Sequence, residues 1–121
     1  MNKLQEEARE FMEKKYENLN FKSYQDMASE TAIYKLDHQV LYPALGLAAE
    51  AGEVANEVKK ILRDGKFDRD AIADEVGDCL WYIAALCRDL NVDMTELAKN
   101  NLRKLHDRKA RGVLQGSGDK R

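Results

Sequence analysis

GLAAEAGEVANEVKK, residues 46–60, decides how the chain is read. Glu50 and Glu53 lie three positions apart, with Gly52 between them. DEVGDCLW, residues 74–81, repeats the arrangement with Glu75, Asp78 and Gly77. A helix turns about 100° per residue, so positions three or four apart share a face. Glu50, Glu53, Glu57 and Lys60 then form one stripe, beside an apolar line of Leu47, Ala51, Val54, Val58 and Ile61. Glycine inside a helix costs about 1 kcal/mol relative to alanine. Close approach of another helix, or room for a ligand beside the backbone, would offset that cost.

Working outward, the pattern is helical throughout, and no alternating β-branched run suggests a strand. The expected fold is all-α, with about five helices and a bundle completed by oligomerisation. Residues 3–18 make a charged amphipathic helix with a sparse apolar face. Ser23 reads as an N-cap for a second helix reaching about Leu41, ended by LYP because Pro43 disfavours helical geometry at Tyr42. The acidic stretch falls in a third helix, about 44–63, closed by Gly65. Asp68 starts a fourth, about 69–90, with the apolar line Ile72, Val76, Leu80, Ile83, Cys87 and Leu90. Asp93 and Glu96 form a capping pair for a fifth, about 94–110. The expected organisation is a charged N-terminal extension (1–20), a helical domain (21–111) and a flexible, glycine-containing tail (112–121).

The 121 residues suit one domain. A net charge of −2 gives no overall attraction to nucleic acid or anionic membrane. Residues 50–78 are acid-rich and residues 103–121 base-rich, which suits joint binding of a cation and an anion. The N-terminus lacks the apolar core of a signal peptide, and no run is long enough to span a bilayer, so a soluble, cytoplasmic protein is expected. Cys79 and Cys87 are eight apart in one helix, too far to pair, and read as reduced core thiols.

The third and fourth helices are joined by a short turn and should pack antiparallel, bringing Glu50 and Glu53 toward Glu75 and Asp78. Four converging carboxylates repel and raise each other's pKa, and a divalent cation removes the conflict. Oxygen-only ligands suit Mg²⁺, with Mn²⁺ as a substitute. A competing reading leaves the acids as solvated helix faces, since one E-x-x-E is common on surface helices. A di-iron bundle would need Glu-x-x-His on two helices. Here His38 and His106 are preceded by Lys35 and Arg103, which argues against it.

E-x-x-E followed, after 21 residues, by E-x-x-D resembles the signature of the all-α nucleoside triphosphate pyrophosphohydrolases. YPALGLAAEAGEVANEVKK and DEVGDCLWYIAAL resemble its small MazG-like members, as does the C-terminal NNLRKLHDRKARGVLQGSGDKR. The resemblance implies hydrolysis of a nucleoside triphosphate to monophosphate and pyrophosphate, a role in cleansing the nucleotide pool, and a homodimer or homotetramer. It implies Mg²⁺ held by Glu50, Glu53, Glu75 and Asp78, with Glu53 favoured as the group that activates water. It assigns Lys60, Lys104, Arg108, Lys109 and Arg111 to phosphate and Asn101 to the nucleotide. Tyr34, His38, Tyr42 and Trp81 are the nearest groups for the base. A phosphoribosyl-ATP or dUTP-type hydrolase is a second enzyme reading. A non-catalytic helical oligomer, binding nucleotide or protein around a structural metal, is the alternative from another class.

Overall fold

Asn2 and Gln5 close the first helix on itself. The side chain of each accepts the other's backbone N–H at 2.9 Å, satisfying two donors that a helix start leaves open. The computed structural model describes residues 2–121, so Met1 of the N-terminal extension lies outside the described residues. Helix α1 spans Lys3–Tyr16, α2 Phe21–Ser29, α3 Leu41–Asp64, α4 Arg69–Asp89 and α5 Met94–Ala110. Among the described residues there is no strand, and the fold is all-α as expected.

The second helix departs from the sequence reading at both ends. Asn20, not Ser23, is its cap, and the Ser23 hydroxyl returns the bond to Asn20 N–H at 2.9 Å. It stops at Ser29 instead of reaching Leu41. Hydroxyls of Ser29 and Thr31 donate to the carbonyls of Asp26 and Ala28, at 2.6 and 2.8 Å, and so take up last-turn acceptors. The chain then turns through residues 30–40, which include a short 3₁₀ turn at Leu36–His38. Pro43 does not end a helix. It sits in the first turn of α3, where its missing N–H is not required, and its ring is fully buried. The remaining caps follow the sequence. Gly65 closes α3 in the left-handed conformation, with φ 67°. Asp68 accepts from Ala71 N–H, and Asp93 from Thr95 and Glu96 N–H. Glu96 does not complete a capping pair and instead meets Lys99 at 3.3 Å.

Helix α4 is the centre of the packing, with α3 its most extensive partner and α2 and α5 on its remaining sides. The core joins Ala28 of α2, Ala84 and Cys87 of α4 and Met94 of α5, with Tyr24, Leu80, Trp81 and Ile83 packed on it. Both cysteines are unpaired thiols. Buried Gln25 fastens α2 to the α4–α5 connection: its amide donates to Val92 C=O and accepts from Met94 N–H, both at 2.8 Å. Helix α1 stands apart from these packed pairs, with Leu4 and Phe11 exposed. Among the described residues, no helix is long and apolar enough to cross a membrane.

Replacing Gln25 by Ala would leave the buried Met94 N–H and the part-buried Val92 carbonyl without partners. The expected loss is about 3 kcal/mol of stability, read as a lower urea midpoint at unchanged slope. A midpoint equal to that of the unmodified protein would show that the Gln25 bridge does not hold the helices together.

Candidate functional site

The α3–α4 contact builds the site. Gly46 of α3 lies against Tyr82 of α4 so closely that an added Cβ would fall 2.1 Å from the tyrosine ring. Further along α3, Glu50 meets Glu75 and Asp78. Advancing on one helix thus retreats on the other, which is the antiparallel pairing expected from the short connection. The carboxylate oxygens of Glu50, Glu75 and Asp78 all come within 4.8 Å of one another. Glu53 is not within that cluster, but its charge reaches Glu75.

The cluster carries its repulsion openly. Glu75 is pushed up to about 6, first by a hydrogen bond with Glu50, then by desolvation and by the charges of Glu50, Asp78 and Glu53. None of the ion pairs among the described residues involves these four acids. Lys60, on the same stripe, pairs instead with Glu57 at 3.0 Å. Uncompensated carboxylates sharing one small volume, with oxygen the only donor type, fit a hard divalent cation.

A second feature adjoins the acids. A cleft of about 300 Å³ is lined by residues of the 31–42 segment, His38 and Tyr42 among them, and by Trp81 and Tyr82 of α4. Tyr34 and Tyr42 stack with ring centres 4.9 Å apart, and Tyr82 tilts toward Tyr42 at 6.3 Å. Trp81 meets Tyr82 edge-on at 5.0 Å and donates its indole N–H to Thr31 Oγ1 at 2.7 Å. The Tyr82 hydroxyl is pushed up by burial, by Tyr42 and by Glu50 and Asp78, so cleft and acids share one side of α4.

The basic residues of α5 lie elsewhere. Asn101 and Lys104 line a larger, mostly apolar cleft of about 580 Å³ with Phe21, Leu80, Ile83 and Met94. Leu80 and Ile83 are on a different side of α4 from Glu75, Asp78 and Tyr82, so one chain does not aim these α5 groups at the acids. Arg108 is buried, and its guanidinium donates to Asp119 C=O. Arg111 pairs with Asp107 at 2.9 Å and donates to Arg121 C=O at 2.8 Å. These two arginines therefore hold the tail, which folds back along a turn-rich path. Lys109 and His106 are exposed. Gly52 and Gly77 have open space beside them, so neither serves close packing within the chain; Gly46 does.

Sequence reasoning passed over Asp89. Its side chain is fully buried and accepts from Tyr34 O–H at 2.7 Å and Val40 N–H at 2.9 Å, with Arg88 at 3.1 Å. Burial alone would raise its carboxyl, but these hydrogen bonds outweigh burial and hold it below the ordinary range. A signal was present: Asp89 falls eleven residues after Asp78, on the same face of α4.

A family model for the MazG nucleotide pyrophosphohydrolase domain matches residues 38–113. The chain is also similar to the Gene 37 protein of Mycobacterium phage L5, at 46% identity over 109 residues, covering 81% of this chain and 96% of the relative. No solved structure matches significantly.

The crowded acids predict a measurable frustration. A carboxyl raised in the folded state favours folding below its ordinary value of 4.5, and that support is lost as pH rises through about 6. In a chelating buffer at neutral pH, Glu75→Gln should therefore melt higher than the unmodified protein. A lower melting temperature for the variant would show that the cluster is not repulsive.

Proposed function

The chain belongs to the MazG nucleotide pyrophosphohydrolase family, and from that premise we propose that it converts (d)NTP to (d)NMP and pyrophosphate, with Mg²⁺ held by Glu50, Glu53, Glu75 and Asp78. The observation that carries this reading is the convergence of Glu50, Glu75 and Asp78 without a counter-charge. Mn²⁺ would substitute on the same oxygen donors. A bound divalent cation supplies neutralisation of the phosphate oxygens and of the charge that builds during displacement.

The chain's own residues supply the rest. Glu53, exposed beside the cluster and without an ion pair, orients a water and takes its proton. The water oxygen bonds to the α-phosphorus as the bond from that phosphorus to the α–β bridging oxygen breaks, and pyrophosphate leaves. The aromatic cleft beside Glu50 and Asp78 receives the base, with His38 at its edge. Because Asn101 and Lys104 face away from the acids of their own chain, cationic help for the leaving group comes from Lys60 or from a second copy. The cellular role that fits is removal of unwanted nucleotides from the pool.

A second copy is also supported by surface. The chain exposes 9320 Å². A compact protein of 13.8 kDa exposes about 6,600 Å². Part of the excess belongs to α1, which stands apart, and the rest is available to an interface, of which a standard one takes roughly 800 Å² from each partner. On α3, Leu41, Leu45, Ala48, Gly52, Ala55 and Leu62 form one exposed line on the side opposite Glu50. Its spacings are nearly the same in both directions from Gly52. An antiparallel copy with its two-fold axis between positions 51 and 52 would set Leu41 against Leu62 and Ala48 against Ala55, with the two Gly52 residues beside the axis.

The activity is tested with a nucleotide panel and Mg²⁺, resolving the products. Monophosphate and pyrophosphate are expected, with Glu53→Ala and Asp78→Ala each lowering kcat at least about a hundredfold at unchanged helicity. Diphosphate and orthophosphate as products would overturn attack at the α-phosphorus. Metal binding without turnover of any nucleotide would favour a non-catalytic binding module. Sedimentation should show a dimer or larger, and Leu45→Glu should shift it toward monomer. An unmodified protein that sediments as a monomer would remove self-association from the reading.

A further inference from the structure

Val40 has φ 67° and ψ −52°, a region that a β-branched side chain rarely adopts. The Leu41 N–H donates to Gln39 C=O at 2.7 Å across it, so Val40 is the centre of a tight γ-turn with positive φ, a strained form. The turn is the junction between the segment that lines the aromatic cleft and the first turn of α3, whose Ala44 N–H bonds back to Val40 C=O at 3.0 Å. Such strain persists only where the surroundings impose it.

Asp89 supplies that constraint from α4. One carboxylate oxygen, Oδ2, accepts from Val40 N–H at 2.9 Å and from Tyr34 O–H at 2.7 Å. The other, Oδ1, accepts from Arg88, whose Nη2 also donates to the Tyr34 hydroxyl at 2.9 Å. Tyr34 in turn stacks on Tyr42. A single buried carboxylate thus ties both ends of the 34–40 segment to the helix that carries Glu75 and Asp78.

We propose that Asp89 is a positioning residue, which fixes the wall of the aromatic cleft by clamping the strained turn at Val40 and the Tyr34 hydroxyl. The inference rests on the reading that this cleft receives the nucleobase. Asp89 touches no substrate and acts through Tyr34, Tyr42 and His38. Its loss should weaken substrate capture and leave the chemistry at the acids in place.

The test uses the full chain and pairs kinetics with a readout that needs no nucleotide. Asp89→Ala should raise KM for a triphosphate substrate about tenfold or more and hold kcat within about threefold. Trp81 is the sole tryptophan and is bonded to Thr31 at the start of the segment, so its quenching by acrylamide should rise in the same variant. Glycine adopts positive φ without strain. Adding Val40→Gly to Asp89→Ala should therefore recover a good part of both KM and Trp81 protection, which a merely structural role would not predict. If Asp89→Ala does not fold, Asp89→Asn keeps a buried oxygen acceptor and should show the same changes at smaller size. Unchanged KM and quenching, or a double variant no better than the single one, would overturn the proposal. If the unmodified protein turns over no nucleotide, the functional reading fails, while the quenching arm still decides the role of Asp89.

Discussion

The register of α3 on α4 is the constraint on which the rest of the molecule depends. It is pinned where the Tyr82 ring lies against Gly46, a contact that no residue with a Cβ could make without moving the ring. From that point the helical repeat sets the positions of the acids. One turn along α3 is Glu50, and one turn back along α4 is Asp78, with Glu75 beyond it. A slip of one residue would rotate each side chain by about 100° and separate the acids. The glycine and the carboxylates are therefore parts of one arrangement. The first sets the distance at which the second must coexist.

Stability and chemistry pull against each other at this seam. The Gly46–Tyr82 contact holds α3 close to α4, and the acids beside it push the two helices apart. The chain also keeps apolar residues outside its core, with Leu45 72% and Leu62 88% exposed on α3. Both features are costs in an isolated chain. On the proposed reading, a cation would relieve the first and a second copy the second.

Much of this is legible in the sequence. The acid pairs, the Asp68 and Asp93 caps and the Gly65 stop are local signals, because the residues that form them lie within a few positions of one another. The errors share a different origin. Pro43 both ends helices and begins them, and only its buried place in the first turn of α3 decides which. The end of α2 depends on hydroxyls of Ser29 and Thr31 capturing carbonyls that could equally have continued a helix. The grip of Asp89 on Val40 joins residues 49 positions apart, which no periodicity reveals. Gly52 and Gly77 are costly residues for a helix interior, but the close packing within the chain belongs to Gly46, whose reason is the Tyr82 ring.

Helix α1 closes its own start through Asn2 and Gln5 and, among the described residues, has no extensive packing partner. A helix of 14 residues held only by its own hydrogen bonds is marginal in water. It therefore lies outside the cooperative unit formed by α2 to α5. Its amides are expected to exchange by local fraying, and those of α4 only on global opening. The protein thus has two thermodynamic parts of unequal stability, and a melting curve read from total helicity sums two processes while one read from Trp81 follows only the second.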